Sequence, residues 1–164
     1  MDGPKTRRER TLLLVASIGP LGHAPASGSV TVAVVGLPLF WLTNGWDAGP
    51  YILFTLLVTG ASIWIHHVGD RILDTKDSGK LVWDEIVGFL FAVAFLPFTW
   101  QTATAAFLIE RVLDIKKVPP ARWVEDHWPG GFGVVGDDVV AGLYTAAAMH
   151  LLVHYAPNLM GIAS

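Results

Sequence analysis

Two adjacent acid pairs are the residues of this sequence best suited to chemistry. Asp84-Glu85 opens one apolar run and Asp137-Asp138 opens another. Carboxylates beside apolar helices are costly unless paired with a cation or bound to a metal. Their placement predicts that each pair lies at a helix N-terminus, where the helix dipole favours negative charge. Capping is therefore the simpler role for either pair alone. Two features favour a metal instead. Each pair is followed one turn later by glycine, Gly88 and Gly142, and small residues let helices approach closely enough to unite the pairs. The chain also has no cysteine, and hard oxygen ligands suit magnesium rather than zinc.

A second group could hold a phosphate. Arg111, Asp114 and Lys117 recur at intervals of three, so on a helix they share roughly one face. They form either an exposed ion-pair ladder or a site in which Arg111 and Lys117 bind phosphate oxygens while Asp114 orients them or joins the metal. Gly130-Gly131-Phe132-Gly133 precedes the second acid pair and would allow close backbone approach to phosphate. The loop from Gly19 to Ser29 adds His23, Ser27 and Ser29 as polar contacts. His150 and His154 have helical spacing but fall toward the far half of the last helix, away from the acids. His66 and His67 read as markers of an interface.

The elements that must position these residues are apolar. Of 164 residues, 52% are hydrophobic and only 15% charged, which is too few to cover a water-soluble surface. The seven tryptophans suit membrane interfaces. A net charge of -3 gives no indication of nucleic-acid binding. No secretory signal is apparent, and residues 1–10 read as a basic tail carrying Lys5, Arg7, Arg8 and Arg10. Apolar helices are expected over Val30 to Leu42, Tyr51 to Val68, Ile86 to Ile109 and Val139 to Tyr155, with polar loops between them. The long stretch Ile86 to Ile109 reads as a hairpin broken near Pro97 to Gln101. A hairpin places all eleven Lys and Arg residues on one side, as the positive-inside rule requires of a cytoplasmic face. The expected fold is a single all-α domain, a multi-span membrane bundle of about four or five apolar helices, some of them short.

Three blocks then resemble a known family. They are Asp77-Ser78-Gly79-Lys80-Leu81-Val82-Trp83-Asp84-Glu85-Ile86-Val87-Gly88, Arg111-Val112-Leu113-Asp114-Ile115-Lys116-Lys117-Val118-Pro119-Pro120, and Gly131-Phe132-Gly133-Val134-Val135-Gly136-Asp137-Asp138-Val139-Val140-Ala141-Gly142. In order and spacing they are similar to the blocks of the phosphatidylglycerophosphatase A family, and the resemblance covers roughly residues 17 to 156. It implies magnesium-dependent removal of the terminal phosphate of phosphatidylglycerophosphate, giving phosphatidylglycerol, at the cytoplasmic face of a bacterial inner membrane. The chain departs from the family's pattern in three places. Ser27-Gly28-Ser29 is the nearest match to the family's first loop, the Lys-Pro-aromatic-Pro block reads Lys117-Val118-Pro119-Pro120, and Glu110 stands where phenylalanine often precedes the arginine.

Residues and resemblance together give the expected site. Asp84, Glu85, Asp137 and Asp138 bind magnesium and serve catalysis, with Asp77 added as a ligand and Asp114 as a catalytic group. Arg111, Lys117, Ser27, Gly28 and Ser29 bind the lipid phosphate. Two alternatives remain at this point. One is a phosphatase or phosphotransferase acting on another lipid phosphate. The other is a divalent-cation carrier or membrane subunit, which should place its acids near the midplane of spanning helices.

Overall fold

The computed structural model describes residues 6–162 and is all-α, with no strand among the described residues. Lys5 lies outside those residues, but Arg7, Arg8 and Arg10 belong to a helix, α1 (Arg7–Ala16), rather than to an extended tail. The reason is local. Thr6 accepts a hydrogen bond from the backbone N–H of Glu9 at 3.2 Å, and Glu9 accepts one from the backbone of Thr6 at 2.9 Å. This reciprocal cap satisfies two N–H groups that would otherwise lack partners. The apolar side of α1 packs through Leu12, Leu13 and Ala16 against Ile65 and Leu81.

After a single 3-10 turn at Leu21–His23, α2 (Ser27–Thr31) runs through a π-helical segment, Val32–Gly36, into α3 (Leu37–Thr43). Two long helices follow the pattern of the apolar runs and exceed it. They are α4 (Ala48–Leu73), of 26 residues, and α8 (Gly131–Tyr155), of 25. Each is long and apolar enough to cross a bilayer, at ~1.5 Å of rise per residue. Both leave large apolar side chains exposed, among them Leu53, Leu57 and Trp64 on α4 and Leu143, Leu151 and Tyr155 on α8.

The stretch Ile86 to Ile109 is broken as expected, into α5 (Trp83–Ala92) and α6 (Trp100–Lys116). Thr99 and Thr102 cap α6 reciprocally, at 2.9 and 3.0 Å, so the second helix starts afresh after Pro97. The main apolar core gathers Val32, Phe40, Phe89, Val93, Ala106 and Met149, which joins α3, α5, α6 and α8. Tyr51 fastens α4 to α5 by donating to the carbonyl of Leu90 at 2.7 Å. A short helix, α7 (Ala121–His127), leads into α8.

Two sequence expectations change here. Asp137 and Asp138 do not open the last helix. That helix begins at Gly131, so the pair lies nearly two turns inside it, beyond the reach of the terminal dipole. Nor do the preceding glycines form an open phosphate cradle. A Cβ on Gly131 would meet the carbonyl of Ile63 on α4, and one on Gly133 would lie 2.7 Å from the carbonyl oxygen of Trp128. Their missing side chains admit neighbouring backbone, which is what allows α8 to extend toward its N-terminus.

Candidate active site

Gly88 and Gly142 set a close approach between α5 and α8. A Cβ on Gly142 would strike the carbonyl of Gly88 and come within 2.9 Å of Phe91 Cβ, so α5 and α8 touch backbone to backbone. A Cβ on Gly88 would in turn lie 3.0 Å from Glu110 Oε1 and 3.1 Å from Asp138 Cβ. The two glycines thus bring the acid-bearing ends of α5, α6 and α8 together, as their spacing predicted. Asp84 and Glu85 are in the first turn of α5, and Glu110, Arg111 and Asp114 in the last two turns of α6.

Consecutive helical residues point in different directions, so each acid pair divides. Glu85 and Asp138 turn toward each other and meet Glu110; one carboxylate oxygen from each of the three lies within 4.8 Å of the others. Asp138 is 4% exposed and forms no ion pair among the described residues. Asp84 instead faces His66 on α4, with Nε2 of the imidazole 3.3 Å from Oδ1, and that same Oδ1 accepts the backbone N–H of Glu85 at 3.0 Å. Asp137 accepts a hydrogen bond from Lys117 Nζ at 2.7 Å.

The cations are held by acids. Arg111 donates from Nε and Nη2 to the two oxygens of Glu110, at 2.6 and 2.7 Å. Its Nη1 contacts Glu85 and lies 3.5 Å from Asp114. Lys117 ends α6 in the left-handed conformation, at φ 46°, and its ammonium lies 2.7 Å from Glu125 as well as from Asp137. Burial disfavours that charge, but the hydrogen bonds and charges of Asp137 and Glu125 outweigh it and hold the Lys117 pKa above its ordinary value. Asp77 stands at the rim, 4.0 Å from Lys117, on a loop tied down by Asp70, which accepts the backbone N–H groups of Asp77 and Ser78. Partial burial and the nearby Asp84 push the Asp77 carboxyl above its usual range, against the opposing pull of Lys117.

From the first loop, Gly28 reaches the site. A Cβ there would collide with the Glu85 carboxylate and lie 2.9 Å from Arg111 Nη1. Ser27 donates to the carbonyl of Gly79 at 2.8 Å and so braces the Asp77 loop, while Ser29 is half-buried on α2. His23 is exposed and lines a cleft with Leu13, Leu73 and Lys80 that contains none of these acids. His150 approaches the carbonyl of Ala94 at 3.0 Å, also away from them.

Three participants were not expected from the sequence. Glu110 is fully buried between Arg111 and the two other carboxylates. His66 is fully buried against Asp84, and Glu125 completes the clasp on Lys117. Only the His66-His67 doublet carried a signal, and it pointed to an interface.

The donor set fits a hard divalent cation. It is all oxygen and anionic, and the chain has no cysteine to offer a thiolate. Glu85 Oε2 is a buried atom whose contact with Arg111 lacks hydrogen-bond geometry, and Asp138 is buried without a counter-charge. Such carboxylates are costly unless a cation compensates them.

Known proteins resemble the chain over most of its length. A family model described as phosphatidylglycerophosphatase A matches residues 14–153. A phosphatidylglycerophosphatase A from Escherichia coli is 30% identical over 153 residues, covering 93% of this chain and 87% of its own. One from Haemophilus influenzae is 29% identical over 139 residues, covering 84% and 83%. No solved structure matches. The matched span contains every acid and cation of the site, and on that extent of similarity the chain belongs to the phosphatidylglycerophosphatase A family, a family of phosphatases.

Proposed function

We propose that the protein hydrolyses the terminal phosphate of phosphatidylglycerophosphate to phosphatidylglycerol, with magnesium held by Glu85, Asp138 and the neighbouring carboxylates. The observation that carries this reading is the convergence of two buried carboxylates, Glu110 and Asp138, and the half-buried Glu85 beside a buried guanidinium and a second, half-buried cation. Magnesium at such a site would supply Lewis-acid polarisation of a phosphoryl oxygen. The chain's own residues do the rest. Arg111 and Lys117 take the phosphate oxygens of a phosphomonoester that carries close to two negative charges near neutral pH. Asp114 and Glu85 keep Nη1 of Arg111 directed into the site, and Asp137 with Glu125 keeps Lys117 at its edge. Gly28 has no side chain, and the Glu85 carboxylate fills the space a Cβ would take, so the first loop packs directly against Glu85 and Arg111.

We read the fold as a multi-span bundle with α4 and α8 crossing the bilayer and the shorter apolar helices packed beside them. The acids sit near the C-terminal end of α4, the N-terminal end of α5, the C-terminal end of α6 and the N-terminal part of α8. The α4 and α8 contributions therefore lie toward one end of each long helix and away from its middle. That favours surface chemistry on a lipid headgroup over a carrier, and the basic residues around these ends favour the cytoplasmic face of an inner membrane. The chain has no native thiol, so Ser78→Cys and Asp126→Cys, the latter at an exposed position on α7, report on sidedness. Both should resist a membrane-impermeant thiol reagent in intact cells and react after lysis; labelling of either in intact cells would place its loop outside.

The reaction is tested with phosphatidylglycerophosphate in detergent micelles. Phosphate release should vanish in chelator and return with magnesium. Release that persists undiminished in chelator would remove the metal from the proposal. Equal turnover of phosphatidate and other lipid monoesters would widen the substrate beyond phosphatidylglycerophosphate.

A further inference from the structure

Glu110 occupies a position no simple ion pair requires. It is adjacent in sequence to its partner Arg111, whereas helical ion pairs normally form three or four residues apart. Its side chain is 0% exposed, and it takes both hydrogen bonds of the guanidinium fork, from Nε and Nη2. The fork that a phosphate would use is therefore already occupied by a carboxylate. The same carboxylate lies within ligand range of Glu85 and Asp138, and Gly88 leaves space for it there. Asp138, buried and without an ion pair, gives the three acids a reason to share a cation. Resting on the phosphatase reading above, we propose that Glu110 is a shared carboxylate, bonded to the Arg111 fork when the site lacks a divalent cation and turned toward Glu85 and Asp138 when a cation is bound, so that cation loading releases Arg111 to the substrate phosphate.

This exchange has two consequences. Cation and phosphate should bind with positive coupling, and the coupling should be reciprocal. Glu110 should also contribute to cation affinity directly, although it stands where the family's pattern has phenylalanine.

The test uses the full-length protein in detergent and reads binding, with no turnover involved. Manganese or magnesium affinity is titrated calorimetrically with and without inorganic phosphate, in the wild type and in Glu110→Gln. The expected result is at least ~10-fold weaker cation binding in Glu110→Gln, on the scale of removing a group that supports a metal site. The wild type should bind inorganic phosphate more tightly with the cation than without it. In Glu110→Gln phosphate should bind more tightly in the absence of cation than it does to the wild type, because glutamine holds the fork less firmly. If Glu110→Gln does not fold, the double variant Glu110→Gln/Arg111→Gln leaves no unpaired buried charge from this pair. Its net charge is that of the wild type, so weaker cation binding would still identify Glu110 as a ligand. Unchanged cation affinity in whichever of these variants folds overturns the shared-carboxylate role and leaves the phosphatase reading intact. Absence of cation binding in the wild type overturns both.

Discussion

Asp138→Asn is expected to lower phosphate release from phosphatidylglycerophosphate by roughly 10²–10³-fold, the scale of several kcal/mol of lost transition-state stabilisation at a metal-assisted centre. The same substitution should not harm the fold. Asp138 is buried within 4.8 Å of Glu85 and Glu110 and has no cationic partner of its own among the described residues. Replacing it with asparagine removes one of three crowded negative charges at nearly constant shape. In chelator the variant should therefore melt at the wild-type temperature or above it. The pair of measurements is phosphate release in micelles and thermal unfolding in detergent, with and without magnesium. Magnesium should raise the melting temperature of the wild type more than that of Asp138→Asn, because a ligand stabilises only the state that binds it. Activity retained in a folded Asp138→Asn protein would remove this carboxylate from the reaction.

Arg111 gives the opposite pattern, with stability lost first. Arg111 is 7% exposed, and its guanidinium is the charged partner of Glu110, with further contacts to Glu85 and Asp114. Arg111→Ala would leave Glu110 buried with no counter-charge, at a cost of about 3–5 kcal/mol. That is a large share of a small protein's stability, so a steep drop in melting temperature or failure to accumulate is the expected result. Arg111→Lys is the more informative variant. It keeps the charge but cannot make the two parallel bonds to Glu110, and it presents an ammonium where a fork stood. It should fold and lose activity by about tenfold or more, mainly through a higher KM if the lost contacts bind ground state and transition state alike. Full stability in Arg111→Ala would contradict the buried pair, and unchanged kinetics in Arg111→Lys would contradict a role in holding phosphate.

Much of this arrangement is legible in the sequence, for identifiable reasons. The apolar runs are long, and Pro97 followed by Thr99 and Thr102 announces the break that separates α5 from α6. Gly88 and Gly142 follow their acid pairs by one turn, and that spacing is what brings α5 onto α8. The start of α8 was hidden because Gly130-Gly131-Phe132-Gly133 resembles a loop in isolation. Only packing against neighbouring backbone, Ile63 of α4 for Gly131 and Glu125 of α7 for Gly133, makes these two glycines helical. Glu110 was hidden for a related reason. At the end of an apolar run and beside Arg111 it looks like one rung of an exposed ladder. Its burial depends on the space left by Gly88 on another helix, which no local pattern records. His66 becomes a neighbour of Asp84 only when α5 folds back against α4, so its doublet with His67 suggested an interface instead.

The central claim is that one site holds a divalent cation and a phosphate together, between the acids of α5, α6 and α8 and the cations of α6. Manganese bound by oxygen ligands provides a magnetic probe of that claim. Pulsed electron paramagnetic resonance on the full-length protein, loaded with manganese and then with inorganic phosphate, reads phosphorus close to the metal. The account predicts a phosphorus hyperfine coupling in the wild type, absent from Asp138→Asn at the same metal concentration. A protein-bound manganese signal with no phosphorus coupling at saturating phosphate, or the same coupling in Asp138→Asn, would contradict it.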